Sequence, residues 1–254
     1  MADKPSRRHE PQLRVEKPRD RLLARPARRY PVSDHCDGQQ FFNASAPARD
    51  LGQVFTWLRN RQPARWPGWV ENEKFTLPPE RHSTQIRDWR VTFINHATML
   101  LQIGPYNLLT DPVWSERVSP FSYVGPRRVR AAGVALQDLP PIDVVLLSHN
   151  HYDHLDEAAV KVLAREHPQA TFVVPLGVKQ WFTARGISPV VELDWWQAAT
   201  VGEARVTVLP AQHFSGRGPH DRNATLWCSL LLEVAGKKIQ DVTLATAGAR
   251  PAGT

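Results

Sequence analysis

Short runs of hydrophobic residues dominate the chain after residue 88, and their composition is that of β-strands. The runs are rich in β-branched and aromatic residues and are separated by dipeptides typical of tight turns, which predicts consecutive strands. The run 144–147 is apolar at every position, and a strand without alternation is typical of a sheet buried on both faces. The predicted strands span 89–94, 98–103, 106–110, 144–147, 171–175, 190–193, 204–210 and 225–234.

Helical periodicity occurs in three other segments. Apolar residues recur at i, i+3, i+4 and i+7 within 51–58, which predicts an amphipathic helix that docks on another part of the protein. The segment 155–166 has one apolar face, acidic residues in its first turn and Pro168 after its end, as expected for a helix. A third helix is predicted at about 176–185. Because helices are interspersed among the strands, the predicted fold class is α/β.

The composition is that of an ordinary globular protein. Of 254 residues, 42% are hydrophobic and 22% are charged. No apolar run approaches the roughly eighteen residues that a membrane helix needs. The N-terminus lacks the apolar segment of a secretory signal, so we expect a cytoplasmic protein that is at most peripheral to a membrane. Cys36 and Cys228 lie far apart and are expected to be free thiols.

Positive charge is concentrated at the N-terminus. The net charge is +7, and residues 1–30 contain ten Lys and Arg residues against four acidic ones, which leaves the remainder nearly neutral. We therefore expect residues 1–34 to form a basic, disordered arm. Weak attraction to anionic lipid or nucleic acid is the alternative. Nucleic acid is disfavoured as a partner because no aromatic residue lies among these arginines before Tyr30.

Three further regions follow the arm. Residues 35–88 combine the first predicted helix with a stretch rich in Pro and Trp, and we expect them to cover the main domain. Residues 89–239 contain the predicted strands and form that main domain. Residues 240–254 form an atypical tail rich in Ala, Gly and Thr.

A histidine-rich motif, S-H-N-H-Y-D-H, occupies 148–154 between the buried strand and a predicted helix. The two elements hold such a loop from both ends, where α/β proteins present functional groups. His149, His151, Asp153 and His154 offer the nitrogen and oxygen ligands that zinc prefers. We predict a zinc site here. The alternative is a polar loop of solvated histidines.

The spacing of these ligands favours two metal ions. One short loop rarely wraps around a single tetrahedral ion, so we expect His149 and His151 to bind one ion. Asp153 and His154 then bind its neighbour, and these two are also the candidate catalytic residues. A water molecule between two such ions is acidified and supplies a nucleophile.

Two histidines outside the motif are further candidates. His213 follows the predicted strand 204–210 at a strand end, where an additional ligand is required. Considered alone it would be structural, but together with the motif we predict that it is a metal ligand. His96 lies in the turn after the first predicted strand. It either approaches the site or packs locally.

The motif belongs to a wider resemblance, which extends from about His35 to Ile239. The segments FINHATMLLQIG, LLTDPVWSERVSPFSYVGPRRVR, PPIDVVLLSHNHYDHLD, VVELDWWQ and LPAQHFSGRGPHDRNATLW carry it. They resemble the N-acylphosphatidylethanolamine-hydrolysing phospholipase D branch of the metallo-β-lactamase superfamily. The resemblance implies an αβ/βα sandwich of two facing mixed sheets with helices outside. Two zinc ions would lie at the edge between the sheets.

The same resemblance implies roles for individual residues. The first zinc would be bound by His149, His151 and His213, and the second by Asp153 and His154. The implied reaction is hydrolysis of a phosphodiester bond in a glycerophospholipid.

The C-terminus departs from the family pattern. Family members continue after a position like Ile239 into a Gly-Asp-Thr turn whose Asp bridges both metals, and they supply one more His later. Residues 240–254 contain no histidine, and Asp241 comes too early for that turn. We therefore expect the C-terminal part of the family's domain to be truncated, one zinc to be held firmly, and activity to be impaired.

The leading functional hypothesis is thus a phospholipase D-type zinc hydrolase. The alternatives are another superfamily hydrolase, such as a sugar-phosphate lactonase or a nuclease, and a non-catalytic zinc-binding protein. Rings interleaved with arginines in 114–130 also suggest a lipid-facing loop, with Trp114, Phe121 and Tyr123 inserted among head groups. Packing of these rings into the core is the alternative.

Overall fold

The computed structural model describes residues 29–43, 51–62, 67–73, 88–121, 123–125, 127–234 and 237–241. Most of the predicted arm and tail therefore lie outside the described residues. The helices are α1 (Leu51–Asn60), α2 (Glu157–Glu166) and α3 (Lys179–Thr183), with a short 3-10 helix at Leu136–Asp138. The strands are β1 (Trp89–Asn95), β2 (Thr98–Ile103), β3 (Tyr106–Thr110), β4 (Val144–Leu146), β5 (Thr171–Pro175), β6 (Val190–Leu193), β7 (Ala198–Val201), β8 (Ala204–Leu209), β9 (Ser229–Val234) and β10 (Lys237–Asp241).

Six strands form a mixed sheet in the order β1-β2-β3-β4-β5-β6. The strands β1 to β3 are antiparallel, whereas β3 to β6 are parallel to one another. Parallel strands end at the same edge of a sheet, so the residues after β3 and β4 meet there. The backbone N–H of Asp111, directly after β3, accordingly donates to the Leu146 carbonyl at 2.9 Å.

The other four strands form an antiparallel sheet in the order β10-β9-β8-β7. This sheet packs on one face of the first, because Leu101, Leu108 and Leu146 share a buried cluster with Val206 and Leu232. The cluster is the interior of a two-sheet sandwich.

Helices cover the opposite face of the six-stranded sheet. Leu100, Leu109 and Val145 pack there with Leu163 of α2 and Phe182 of α3. Successive residues of a strand point to opposite faces, so each central strand contributes to both clusters. This double burial explains the absence of alternation in 144–147.

Residues 29–43 are anchored to the sandwich. Tyr30 packs against the inter-sheet cluster, to which Cys36 and Phe41 belong. Residues 29–34, which we expected at the end of the arm, are therefore folded together with the segment that follows. Cys36 and Cys228 are buried and form no disulfide bond with each other, which agrees with the prediction.

The predicted elements agree with the structure except in a few places. The strands β7 and β10 were absent from the prediction, β9 begins later than predicted, and α3 is shorter. Phe55, on the predicted docking face of α1, is 69% exposed. Among the described residues, no helix combines the length and the apolar character needed to cross a membrane.

Candidate metal centre

The predicted motif lies in a tight loop between β4 and α2. The loop folds back on itself because the backbone N–H groups of His154 and Leu155 both donate to the His151 carbonyl, at 3.1 and 2.8 Å. At its end, Asp156 caps α2 by accepting from the Ala158 N–H at 3.0 Å. The motif histidines are thus presented on a constrained backbone.

Three imidazole rings converge in the first cluster. Nε2 of His149 lies 2.7 Å from Nδ1 of His151 and 3.0 Å from Nε2 of His213. The remaining pair, Nε2 of His213 and Nδ1 of His151, is 3.3 Å apart. The structure therefore brings His213 to the motif across 62 residues or more of sequence.

The second cluster joins His96 to the end of the motif. Nε2 of His96 lies 3.3 Å from Oδ2 of Asp153, and Nε2 of His154 lies 3.8 Å from the same oxygen. The sequence left open whether His96 approaches the site, and the structure places it there. The two clusters adjoin, since the ring centroids of His149 and His154 are 4.1 Å apart.

Asp111 orients histidines of both clusters, a role that the sequence alone did not indicate. Its Oδ2 accepts from Nδ1 of His154 at 2.8 Å and from Oγ of Ser148 at 2.6 Å. Its Oδ1 accepts from the Ser148 N–H at 2.8 Å. Because the Ser148 hydroxyl proton is directed to Asp111, its oxygen can accept from Nδ1 of His149, 2.9 Å away. Protons held at both Nδ1 atoms leave the Nε2 lone pairs of His149 and His154 available to a metal.

The imidazoles of the first cluster favour the neutral form that metal binding requires. Burial lowers the pKa of His149 well below its ordinary value, and His154 beside it acts in the same direction. Burial also lowers the pKa of His151, and lowers that of His213 to about 4. The pKa of Asp153 is lowered too: burial raises it, but the hydrogen bond from His96 and the proximity of His154 outweigh burial.

Arg217 connects the motif to the loop that carries His213. Its guanidinium donates to the carbonyls of Asn150 at 2.9 Å, between His149 and His151, and of Leu155 at 2.8 Å, directly after His154. The same group lies over the Tyr152 ring, 3.9 Å from its centroid. A second connection runs from the Gly216 N–H to the side-chain oxygen of Asn150 at 2.8 Å. These bonds fix where His213 meets the motif.

A cavity of about 570 Å³ adjoins the second cluster, and His96 and Asp153 form part of its wall. Much of the remaining lining is apolar, including Phe93 and Val113. Arginines, among them Arg130, line it as well. The site therefore opens onto a space with both apolar and cationic surfaces.

The donor geometry of the first cluster fits a tetrahedral zinc ion. Zinc–nitrogen bonds of about 2.0–2.1 Å place ligand atoms roughly 3.3 Å apart, close to the separations of the three nitrogens. Neutral imidazole nitrogens at these distances repel one another through their lone pairs unless a proton or cation lies between them. Imidazole is a preferred ligand of zinc, although it also suits other transition metals.

Comparison with known families agrees with this geometry. The family described as Beta-lactamase superfamily domain matches residues 106–240, more than half of the chain. The chain belongs to this superfamily. The match confirms the fold class and the superfamily that the sequence predicted.

Individual relatives match a similar length of the chain. An uncharacterised protein of Mycobacterium tuberculosis is 48% identical over 141 residues, which are 55% of this chain and 37% of that protein. N-acyl-phosphatidylethanolamine-hydrolyzing phospholipase D 1 of Caenorhabditis elegans is 41% identical over 145 residues, 54% of this chain and 41% of that protein. The second match supports the phospholipase D-like branch. Both matches span less than half of the relative's length.

A solved structure resembles the chain more distantly. Igni18, a metallo hydrolase from Ignicoccus hospitalis, has a TM-score of 0.45 and 17% sequence identity, with 60% of this chain and 59% of that chain covered. The family match and the relatives support a metallo-hydrolase of the β-lactamase fold.

The aromatic residues of the segment 114–130 differ in burial: Trp114 packs against the core, whereas Phe121 and Tyr123 are exposed. Trp114 packs against the helix-covered core, and its Nε1 donates to the Val134 carbonyl at 2.9 Å. Asp156 holds this region by accepting from the Trp114 N–H at 2.9 Å. Phe121 and Tyr123 are 53% and 76% exposed. The hypothesis of a lipid-facing loop is therefore wrong for Trp114 and remains open for the other two rings.

Proposed function

We propose that this protein is a zinc-dependent phosphodiesterase of the phospholipase D type, acting on N-acylphosphatidylethanolamine-like glycerophospholipids. The observation that carries the proposal is the pair of adjoining ligand clusters beside a cavity with apolar and cationic walls. When bound, a divalent ion acidifies water and withdraws charge from phosphoryl oxygens, which is the chemistry that phosphodiester hydrolysis needs.

The protein residues prepare the site for that chemistry. His149, His151 and His213 converge from two loops to hold an ion, and Asp111 keeps the Nδ1 proton of His154 so that its other nitrogen faces the site. Of the two candidate catalytic residues, Asp153 lines the cavity and His154 lies buried beside it. Asp153 stays ionised because its pKa is lowered, so it can bind a cation or accept a hydrogen bond.

The cavity supports an amphiphilic phosphodiester as the substrate. Apolar side chains such as Phe93 and Val113 suit hydrocarbon, and arginines such as Arg130 suit a phosphate. The similarity to the nematode phospholipase D supports the same class of substrate. A sugar-phosphate or nucleic acid substrate would make no use of the apolar wall.

Peripheral contact with a membrane from the cytoplasmic side is part of the proposal. Phe121 and Tyr123 lie 5.7 Å apart between ring centroids on an exposed loop near arginines. Rings of this kind insert at the head-group level while neighbouring guanidinium groups pair with phosphate. The loop precedes Arg127, Arg128 and Arg130, which line the cavity, so membrane contact would deliver lipid close to it.

A substrate panel tests the function. The purified chain is supplied with zinc and given N-acylphosphatidylethanolamine in mixed micelles, a sugar-phosphate lactone, and RNA. We expect release of the phosphatidic acid from the lipid, no turnover of the other two, and no activity in His151→Ala. His220→Ala, a change at an exposed histidine outside both clusters, should retain activity. Turnover of the lactone or RNA alone would favour the other superfamily hydrolases, and zinc binding without any turnover would favour a non-catalytic protein.

A further inference from the structure

The turn that carries His96 is held on both sides. The Thr110 hydroxyl donates to the Ala97 carbonyl at 2.7 Å, and the Asn95 side chain donates to the Val113 carbonyl at 2.9 Å. The Gly133 N–H adds a bond to the Ile94 carbonyl at 2.8 Å. The His96 side chain is about half exposed, yet it projects from an anchored backbone.

Two imidazoles point at a single carboxylate oxygen in this region. Nε2 of His96 and Nε2 of His154 lie 3.3 and 3.8 Å from Oδ2 of Asp153, and the three ligand atoms all lie within 4.8 Å of one another. Ligand atoms of a tetrahedral zinc are separated by roughly 3.3 Å. One oxygen and two nitrogens at these distances match three corners of such a site.

The proton of the neutral His154 ring lies on Nδ1, on the side away from Asp153. Its Nδ1 is engaged by Asp111 at 2.8 Å, so in the neutral ring Nε2 carries a lone pair and no proton. A lone pair facing the Asp153 carboxylate is repelled by it, so the arrangement becomes favourable when a positive charge, either a proton on Nε2 or a metal ion, lies between them. A simple ion pair between His96 and Asp153 accounts for one of these contacts, whereas a metal ion accounts for both imidazoles beside the same carboxylate oxygen. Such half-exposed ion pairs also contribute little to the stability of a fold.

We propose that His96 is a ligand of a second divalent ion, which it binds together with Asp153 and His154. This inference rests on the proposed function for the presence of metal, and it changes the number of protein ligands available to the second ion. The sequence alone offers that ion two ligands, Asp153 and His154, and therefore predicts that it is held weakly. With His96 it has three, the number that catalytic zinc sites use while leaving one position open for water or substrate.

The test compares His96→Asn with wild type. Asparagine is one of the residues other than glycine that tolerate the positive φ of 40° at this position, so the turn should survive the change. His220→Asn is the matched control, since His220 is exposed and belongs to neither cluster. His151→Ala reports on the first cluster separately. Each full-length chain is stripped with chelator and titrated with Co²⁺, and visible absorption and metal per chain by mass spectrometry are recorded.

We expect two ions per chain for wild type and for His220→Asn. In His96→Asn the second binding step should weaken by about tenfold or more, while the affinity of the first step is unchanged. A wild-type chain that binds one ion, or a His96→Asn variant that keeps the second ion at unchanged affinity, would overturn the proposal. These results do not depend on turnover, so an inactive chain that still loses its second ion in His96→Asn would contradict the proposed function and support the role of His96.

Discussion

Oδ2 of Asp111 lies 2.8 Å from Nδ1 of His154, and this contact joins the end of β3 to the metal-binding loop after β4. The carboxylate is buried, and its other partners are the backbone and hydroxyl of Ser148, which in turn faces His149. One residue therefore sets the orientation of an imidazole in each cluster. Partners of this kind fix the tautomer of a metal ligand and raise its basicity.

Asp111→Asn should weaken zinc binding by about 10–100-fold, because an amide nitrogen cannot accept the protons of Ser148 and His154. Asparagine tolerates the positive φ of 32° at this position, so the fold should be retained. Zinc affinity measured by competition with a chelator decides the matter. The exposed Asp138→Asn is the control, and equal zinc affinity in both variants would contradict the orienting role.

The contacts of Arg217 predict that replacing it lowers both the stability of the fold and the affinity for zinc. Arg217→Met removes the donors to the Asn150 and Leu155 carbonyls, which should lower the free energy of unfolding by about 1–3 kcal/mol. It should also weaken zinc binding, because His213 is no longer held against the motif. Urea unfolding and zinc titration measure the two effects. Arg205→Met, at a surface ion pair with Glu233, should change neither by much. Normal zinc affinity in a destabilised Arg217→Met would show that the residue is only structural.

The exposed rings predict a membrane effect that is separate from catalysis. Phe121→Ser combined with Tyr123→Ser should weaken binding to anionic vesicles by at least about tenfold, since full insertion of even one large ring contributes roughly 1.5–3 kcal/mol. Zinc content should stay unchanged. Vesicle sedimentation provides the measurement, and Phe55→Ser on α1 removes an equally exposed ring elsewhere as a control. If the double variant binds vesicles as well as wild type does, these rings are not part of the membrane-facing surface.

The anchoring of residues 29–43 should depend on pH through His35. Burial lowers the pKa of His35, but hydrogen bonds to Asp34 and Asp194, at 2.6 and 2.8 Å, outweigh burial and raise it. A folded-state pKa above the unfolded value means that this stabilisation is complete below about pH 6.5 and is lost as the pH rises through the folded-state pKa. The neutral ring can donate to only one of the two carboxylates.

The corresponding measurement is the free energy of unfolding of wild type and His35→Gln across this range. The difference between them should be about 1–2 kcal/mol at the acidic end and should shrink as the pH rises. A difference that stays constant with pH would show that His35 does not titrate in this range.

The proximity of the candidate ligands that lie close together in the sequence could be predicted from the sequence. His149, His151, Asp153 and His154 lie in one loop after a buried strand, so their proximity follows from the chain itself. His213 could be added because a ligand at a second strand end was needed to complete a site. Most strands were predictable for a similar reason, since their composition and turns are local.

Residues that depend on tertiary neighbours could not be identified in the same way. Asp111 appeared to begin a loop, and its partners lie 37 to 43 residues away. The available signal was its position directly after a strand that pairs in parallel with the motif strand. In the sequence, Trp114 resembles an exposed ring in a Pro-rich loop. In the structure, its backbone N–H donates to Asp156, and this bond turns the chain inward. The four-residue strand β7 has too few apolar positions to show a period.

The most direct test of the account is to follow phosphodiester hydrolysis and bound zinc together in the same samples. Wild type, His213→Ala and His220→Ala are assayed on N-acylphosphatidylethanolamine after chelation and again after stepwise return of zinc. We expect the hydrolysis rate of wild type and of His220→Ala to vanish on chelation and to return with zinc. His213→Ala should bind zinc at least about tenfold more weakly and recover little activity. Hydrolysis that persists in the zinc-free chain, or full recovery by His213→Ala at the wild-type zinc concentration, would contradict a metal centre built on His149, His151 and His213.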